Sequence, residues 1–225
     1  MIKAVVFDFD GTILDTESCE FEGLQTIYKE YGAELPIEVW GECIGTHANF
    51  FDAHEYLEKQ IGKSLDRDMI KQKRKDLFTE QIKTKSTLPG VIEYLEAAKR
   101  LGLKIGLASS STYEWVSSHL DNLGISEYFE CIRTSNDVEN VKPDPTLYME
   151  TVKCLDIKPE EAIAFEDSSN GAKAAKQAGL YCVVIPNLVT SHLTFDDLDL
   201  KLESLAELKL EDMISRFTNE HKEGK

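Results

Sequence analysis

Asp8 and Asp10 stand two residues apart, directly after the apolar run Lys3, Ala4, Val5, Val6 and Phe7, and just before Gly11-Thr12. The run has the β-branched and aromatic bias of a buried strand. Alternation along an extended chain puts positions 8 and 10 on one side, and Gly11 permits a sharp turn. Two carboxylates in register past a buried strand repel each other and do little for stability. A hard cation such as Mg²⁺ removes that repulsion, because it takes oxygen ligands and keeps waters for the rest of its octahedron. The competing reading is a solvated strand-to-turn corner in which Asp is a turn former.

The elements that must position such residues follow from periodicity. From about Glu17 to Tyr31, apolar residues recur at Phe21, Leu24, Ile27, Tyr28 and Tyr31, which predicts a helix stopped at Gly32. Further helices are predicted after Pro36, over about 49–61, and from Leu65 or Asp66 towards Lys83. The last of these carries the charge run KQKRKD at 71–76, read as a solvated face. Residues 16–86 thus read as a helical bundle without a strand. From Leu88-Pro89-Gly90 onward, helices alternate with strands at about 103–108, 129–132, 162–165 and 182–185. A weak strand near 200–202, a helix of roughly 204–214 and a frayed tail from Thr218 complete the reading. Such alternation predicts an α/β fold with a doubly wound parallel sheet and right-handed crossovers.

Ligands of these sheets bind beyond the carboxyl ends of the strands. Asp8 and Asp10 follow the first strand, Ser109-Ser110-Ser111 the second, Lys142 comes after the third, and Glu166-Asp167 end the fourth. Their convergence on one edge suits a phosphomonoester. Mg²⁺ held by Asp8, Asp167 and the Asp10 carbonyl would bind one phosphoryl oxygen, Lys142 a second, and Ser109 with nearby loop amides a third. Asp8 would be an in-line nucleophile and Asp10 a general acid and base. Glu166 is expected to accept from a metal-bound water or to play an outer structural role. Duller readings exist: Ser109 as a helix N-cap, Lys142 as an exposed loop lysine, and Asp167 as the cap of the helix at Gly171. The histidines are scattered and suit surface or packing roles, except His47, whose Gly45-Thr46-His47 loop could face a substrate.

The 225 residues, 42% hydrophobic, can bury a sizeable core. A net charge of −16 disfavours nucleic acid as a partner. Cys19, Cys43, Cys131, Cys154 and Cys182 form no CxxC and are expected to be reduced packing residues rather than a zinc site. No apolar run long enough to span a bilayer appears, and no basic-then-apolar leader, so a soluble cytoplasmic protein without membrane partners is expected.

DFDGT (8–12), the strand-end Ser109, VKPDP (141–145) and FEDSSNG (165–171) resemble, in order, the four motifs of the haloacid dehalogenase-like hydrolases. The resemblance runs along nearly the whole chain and reaches the phosphoglycolate phosphatase and β-phosphoglucomutase branch. It implies a Rossmann-like core at 1–15 and 87–225, with residues 16–86 as a mobile helical cap. It also implies Mg²⁺-dependent phosphoryl transfer through an aspartyl-phosphate on Asp8, with Asp10 as acid and base, Ser109 and Lys142 on the phosphate, and Asp167 on the metal. The acid/base Asp10 argues against dehalogenation. The His and Arg of the mutase branch fall by count on Glu20 and near Ala48, which favours hydrolysis. Candidate substrate contacts are Ser109, Ser110 and Lys142, with Glu17, Glu20, Thr46 and His47 from the cap. The expectation is a phosphatase of a small phosphorylated metabolite, a sugar phosphate or phosphoglycolate-like acid, acting as a monomer or weak homodimer. Alternatives are a sugar-phosphate mutase and, from another class, a receiver-type phospho-acceptor module.

Overall fold

The structure, a computed structural model, describes residues 1–41, 44 and 51–223, with the backbone alone beyond Thr218. Its centre is a six-stranded parallel sheet in the order β3-β2-β1-β4-β5-β6. The strands are β1 (Ala4–Phe7), β2 (Lys104–Ala108), β3 (Cys131–Arg133), β4 (Ala162–Glu166), β5 (Tyr181–Val184) and β6 (Leu200–Lys201). β1 lies between β2 and β4, with Phe7 in register with Leu107 and Phe165, so the chain leaves all three strands at one edge. The expected doubly wound α/β architecture is borne out.

Alternation along β1 divides the core by residue size. Val5 and Phe7 face a cluster with Leu107, Phe165 and Val183, covered by α5 (Val91–Arg100), α6 (Tyr113–Leu123) and α9 (Leu210–Glu223). Ala4 and Val6 face the opposite way, with Ala108, Ala162 and Ala164, against α7 (Thr146–Cys154) and α8 (Ser169–Gln177). The small residues on this second face let α7 and α8 lie close to the sheet. Gly106 is a point of close approach to α7, since a Cβ there would stand 2.7 Å from Thr151 Cγ2 and 3.0 Å from Leu155 Cδ1.

Between β1 and α5 the chain forms four helices: α1 (Thr16–Glu30), α2 (Ile37–Gly41), α3 (Ala53–Ile61) and α4 (Arg67–Ile82). Asp15, Asp52 and Asp66 cap α1, α3 and α4 by accepting from backbone amides of the first turn. Phe21, Leu24, Ile27, Tyr28, Leu57 and Ile70 gather into a third apolar cluster, joined by Val189 from beyond β5. The chain enters and leaves this lobe side by side, where Leu14 bridges Thr87 and the Leu88 amide donates to the Ile13 carbonyl at 2.8 Å.

Three expectations need correction. Cys131 in β3 and Cys154 at the end of α7 form a disulfide, with Cα atoms 6.2 Å apart, instead of staying reduced. α7 packs beside β3, and two cysteines brought together by that packing have no characteristic spacing in sequence. Cys19 and Cys182 are free and buried, and Cys43 lies outside the described residues. The helix expected over about 204–214 is instead a short 3-10 turn at Leu205–Glu207 followed by α9, which stays helical to Glu223 rather than fraying from Thr218. Leu210, Met213 and Phe217 recur at three and four residues and bury against the sheet, and Phe217 stacks on Tyr181 at 4.7 Å. Finally, the charge run of α4 is solvated as expected except that Arg74, its side chain still 41% exposed, pairs with Glu20 beside Trp40 and lines the cleft.

Gly106→Val should force α7 off the sheet and cost about 1–3 kcal/mol. The expected result is a lower urea midpoint with an unchanged slope; an unaltered midpoint would show that α7 does not sit this close.

Candidate active site

Asp8 continues β1 by one residue, its amide donating to the Phe165 carbonyl at 2.9 Å. The chain then turns back on itself, and the amides of Thr12, Ile13 and Leu14 all donate to the Phe9 carbonyl. Gly11 sits in this turn at φ +83°, where a Cβ would come 2.2 Å from Asp167 Oδ2. Only glycine meets both demands.

Lys142 is 2% exposed and spends its three protons on three acceptors. Its Nζ donates to Asp8 Oδ1 at 2.5 Å, the Ala108 carbonyl at 2.7 Å and Glu166 Oε1 at 2.7 Å. Its Nζ also lies 5.0 Å from the centre of the Tyr148 ring. Glu166 is completely buried and accepts further from Tyr148 Oη at 2.5 Å and Ser168 Oγ at 3.3 Å. A Cβ on Gly171 would overlap the Glu166 carboxylate, so that glycine makes the room it occupies. Asp167 Oδ2 accepts from Asn187 Nδ2 at 2.6 Å. Asn187 is itself fixed, its Oδ1 accepting from the amides of Val189 and Thr190.

Asp8, Glu166 and Asp167 can each offer an oxygen within 4.8 Å of the others'. Ionised, the three carry −3 against the single +1 of Lys142, an excess of two negative charges in a buried place. Burial pushes the Asp8 carboxyl up to about 8, against the pull of Lys142. Burial, then repulsion from Asp8 and Glu166, holds Asp167 well above the usual carboxylate range. Burial alone would lower the Lys142 ammonium, but Asp8 and Glu166 raise it, so it stays charged. An all-oxygen set with two uncompensated charges fits a hard divalent cation.

Asp10 takes no part in this cluster. Its Oδ2 accepts from Ser111 Oγ at 2.6 Å and its Oδ1 from Trp115 Nε1 at 2.9 Å. Ser109 Oγ is buried and accepts the Ser111 amide at 3.0 Å. The duller readings fail on placement. Thr112, not Ser109, caps α6; Ser168, not Asp167, caps α8; and Lys142 is no surface lysine.

These groups open into a cleft of about 490 Å³, lined on the sheet side by Asp8, Asp10, Ser109, Ser110, Lys142 and Asp167. Glu17, Glu20, Trp40 and Arg74 line it from the helical lobe. Burial in the wall, then repulsion from Asp10 and Glu20, raises Glu17 well above its ordinary value. Thr46 and His47, also expected here, lie outside the described residues, as does Ala48.

A family model described as haloacid dehalogenase-like hydrolase matches residues 5–185. The chain belongs to that family. A Bacillus subtilis protein named "Putative phosphatase YhcW" is 52% identical over 221 residues, 98% of this chain and all of the relative. A Thermotoga maritima "Phosphorylated carbohydrates phosphatase" is 31% identical, covering 80% of this chain and 82% of that one. Among solved structures, a "putative beta-phosphoglucomutase" from Thermotoga maritima superposes with a TM-score of 0.74 at 26% identity, over 95% of this chain and 99% of that chain. The expected family and hydrolase class are thereby borne out. No helix among the described residues is long and apolar enough to cross a membrane.

Several residues of this hydrolase's cleft escape a reading of the sequence. Asn187 lies just past β5, so the strand-end rule that found Ser109 and Asp167 applies equally to it. Tyr148, Trp40, Trp115 and Arg74 lie on helices, and no local pattern separates them from packing or surface residues. Tyr148→Phe removes one donor from a buried carboxylate without changing its shape, and should cost about 1–3 kcal/mol. Urea denaturation checks this, and a midpoint equal to that of the unmodified protein would mean Glu166 does not depend on Tyr148.

Proposed function

We propose that this hydrolase is a Mg²⁺-dependent phosphatase of small phosphorylated metabolites, working through an aspartyl-phosphate on Asp8. The observation that carries the reading is the buried group of Asp8, Glu166 and Asp167 around Lys142, three carboxyl groups close enough to share one ion. The matched relatives named as phosphatases support it. Asp8, Asp167 and the Asp10 carbonyl would hold the metal, with Glu166 beside them. When bound, it supplies charge neutralisation for the phosphoryl oxygens and Asp8.

An Asp8 oxygen attacks phosphorus as the bond to the leaving oxygen breaks, and Asp10 gives that oxygen a proton. Asp10 then takes a proton from a water that attacks phosphorus, which frees Asp8 and inorganic phosphate. Ser111 Oγ and Trp115 Nε1 each donate to one Asp10 oxygen and so orient its carboxyl group. Ser109 would carry one remaining phosphoryl oxygen, and Lys142 would reach another by giving up one of its three present acceptors.

Residues 16–86 are proposed as a cap, with 1–15 and 87–225 as the core. Their separate apolar cluster and the paired crossings at Leu14 and Thr87 support a hinge there. Closure would bring Glu17, Glu20, Trp40 and Arg74 over the ester and exclude water. A mutase reading draws on the Thermotoga structure. Glu20 at the position counted as that branch's histidine favours water as the acceptor, and isomerised product after priming with a sugar bisphosphate would reverse this preference. Family membership and the position of Asp8 after the first strand weigh against a receiver-type module.

Asp8→Asn should abolish Mg²⁺-dependent hydrolysis of p-nitrophenyl phosphate with an unchanged circular dichroism spectrum; substantial residual turnover would refute covalent catalysis at Asp8. Asp10→Asn should lower kcat by about 10² to 10⁴-fold, measured by steady-state and burst kinetics. Normal turnover across the pH range would remove Asp10 from the proton transfers.

A further inference from the structure

Among the described residues, the lobe side of the cleft holds one arginine, and its Nε is already engaged. Arg74 Nε on α4 donates to Glu20 Oε2 on α1 at 2.7 Å, and its guanidinium carbon lies 5.9 Å from the centre of the Trp40 ring. All three side chains line the cleft with Glu17. Among the described residues, the other cation of the lining is Lys142, spent on Asp8, Glu166 and the Ala108 carbonyl. The stretch 42–50 contains no Lys or Arg. A substrate therefore meets a lobe wall whose positive charge is cancelled by Glu20.

The same wall offers uncharged polar groups. Thr16 Oγ1 and Trp40 Nε1 are buried and lack a hydrogen-bond partner among the described residues, and both residues line the cleft. Thr16 is 3% exposed and Trp40 is 8% exposed. Both atoms are closed off from solvent as the cleft stands, and a hydroxyl that reached them could donate to Thr16 and accept from Trp40. A second carboxylate or phosphate on the substrate would face Glu17 and Glu20, and would meet Arg74 with its charge already balanced by Glu20.

Resting on the phosphatase reading, we propose that the Glu20–Arg74 pair makes the lobe wall select phosphate esters whose leaving group is uncharged and hydroxylated, and reject those carrying a second anionic group. Polyol and sugar monophosphates fit that description. Phosphoglycolate and sugar bisphosphates do not, which narrows the two substrate types expected from sequence to one. Glu20 acts here as a specificity-determining residue, because it occupies the arginine that would otherwise recognise an anionic tail.

The test compares kcat/KM of the full chain with Mg²⁺ on a hexitol monophosphate, a hexose monophosphate, 2-phosphoglycolate and a hexose bisphosphate, with p-nitrophenyl phosphate as reference. The unmodified protein should prefer the neutral-tailed esters by at least about tenfold. Glu20→Gln frees Arg74 and should raise the ratio of anionic to neutral-tailed kcat/KM by about tenfold. Adding Arg74→Gln should erase that gain, and Glu20→Ala should reproduce it. Equal or greater turnover of the anionic-tailed esters by the unmodified protein, or an unmoved ratio in both Glu20 variants, overturns the inference while leaving the phosphatase reading intact. Loss of all turnover, p-nitrophenyl phosphate included, in the unmodified protein overturns both.

Discussion

Three carboxylates buried around one ammonium are the constraint to which the rest of the molecule answers. Left alone, Asp8, Glu166 and Asp167 would repel one another in a place where water cannot screen them. Lys142 relieves part of this, and a fixed set of donors relieves more: Tyr148 and Ser168 on Glu166, and Asn187 on Asp167. What remains is a site whose burial and mutual repulsion favour the protonated forms of Asp8 and Asp167, and a divalent cation would favour the ionised ones. A buried charge cluster is poor for stability and useful for chemistry. Its persistence argues that the chemistry is the reason for it.

The division of the core by side-chain size serves the same cluster. Ala4, Gly106, Ala108 and Ala164 bring α7 close to one sheet face, and that closeness carries Tyr148 to Glu166. Gly171 does the equivalent on α8, leaving the volume in which the Glu166 carboxylate sits. On the other face the large residues Phe7, Leu107 and Phe165 hold the strands in register, and register decides whether Asp8 ends beside Glu166 or one residue away. Packing on both faces thus fixes side-chain positions at an edge that neither face touches.

Much of this was legible in the residues themselves. Strand ends can be located from apolar runs and glycines, so Asp8, Ser109, Lys142, Glu166 and Asp167 could be gathered on one edge before any coordinates. The same rule missed Asn187, because the chain beyond Val184 carries only scattered polar residues without a charged pair to draw notice. Arg74 was hidden in a charge run, where a pocket arginine and a solvated one have the same neighbours in sequence. Cys131 and Cys154 paired through the contact of β3 with α7, which a spacing of 23 residues does not encode. α9 ran further than expected because Phe217 found Tyr181, a tertiary contact that overrides a polar tail's local preference. In each case the missing information was which surfaces meet.

That distinction explains why the chemistry of this hydrolase is easier to read than its substrate. The edge of the sheet is assembled from strand ends whose order the chain dictates, and its polar groups are largely committed to one another. On the proposed reading, discrimination between leaving groups falls to the helical lobe, whose side chains line the cleft from α1, α2 and α4 at once. A single residue there means little by itself: Arg74 alone would mark an anion site, and Glu20 alone a cation site. Joined at 2.7 Å they are neither, and the character of the wall passes to the indole of Trp40 and the hydroxyl of Thr16. With a whole-chain charge of −16 already opposing a dianionic ester, a neutral remainder is the substrate that this field penalises least.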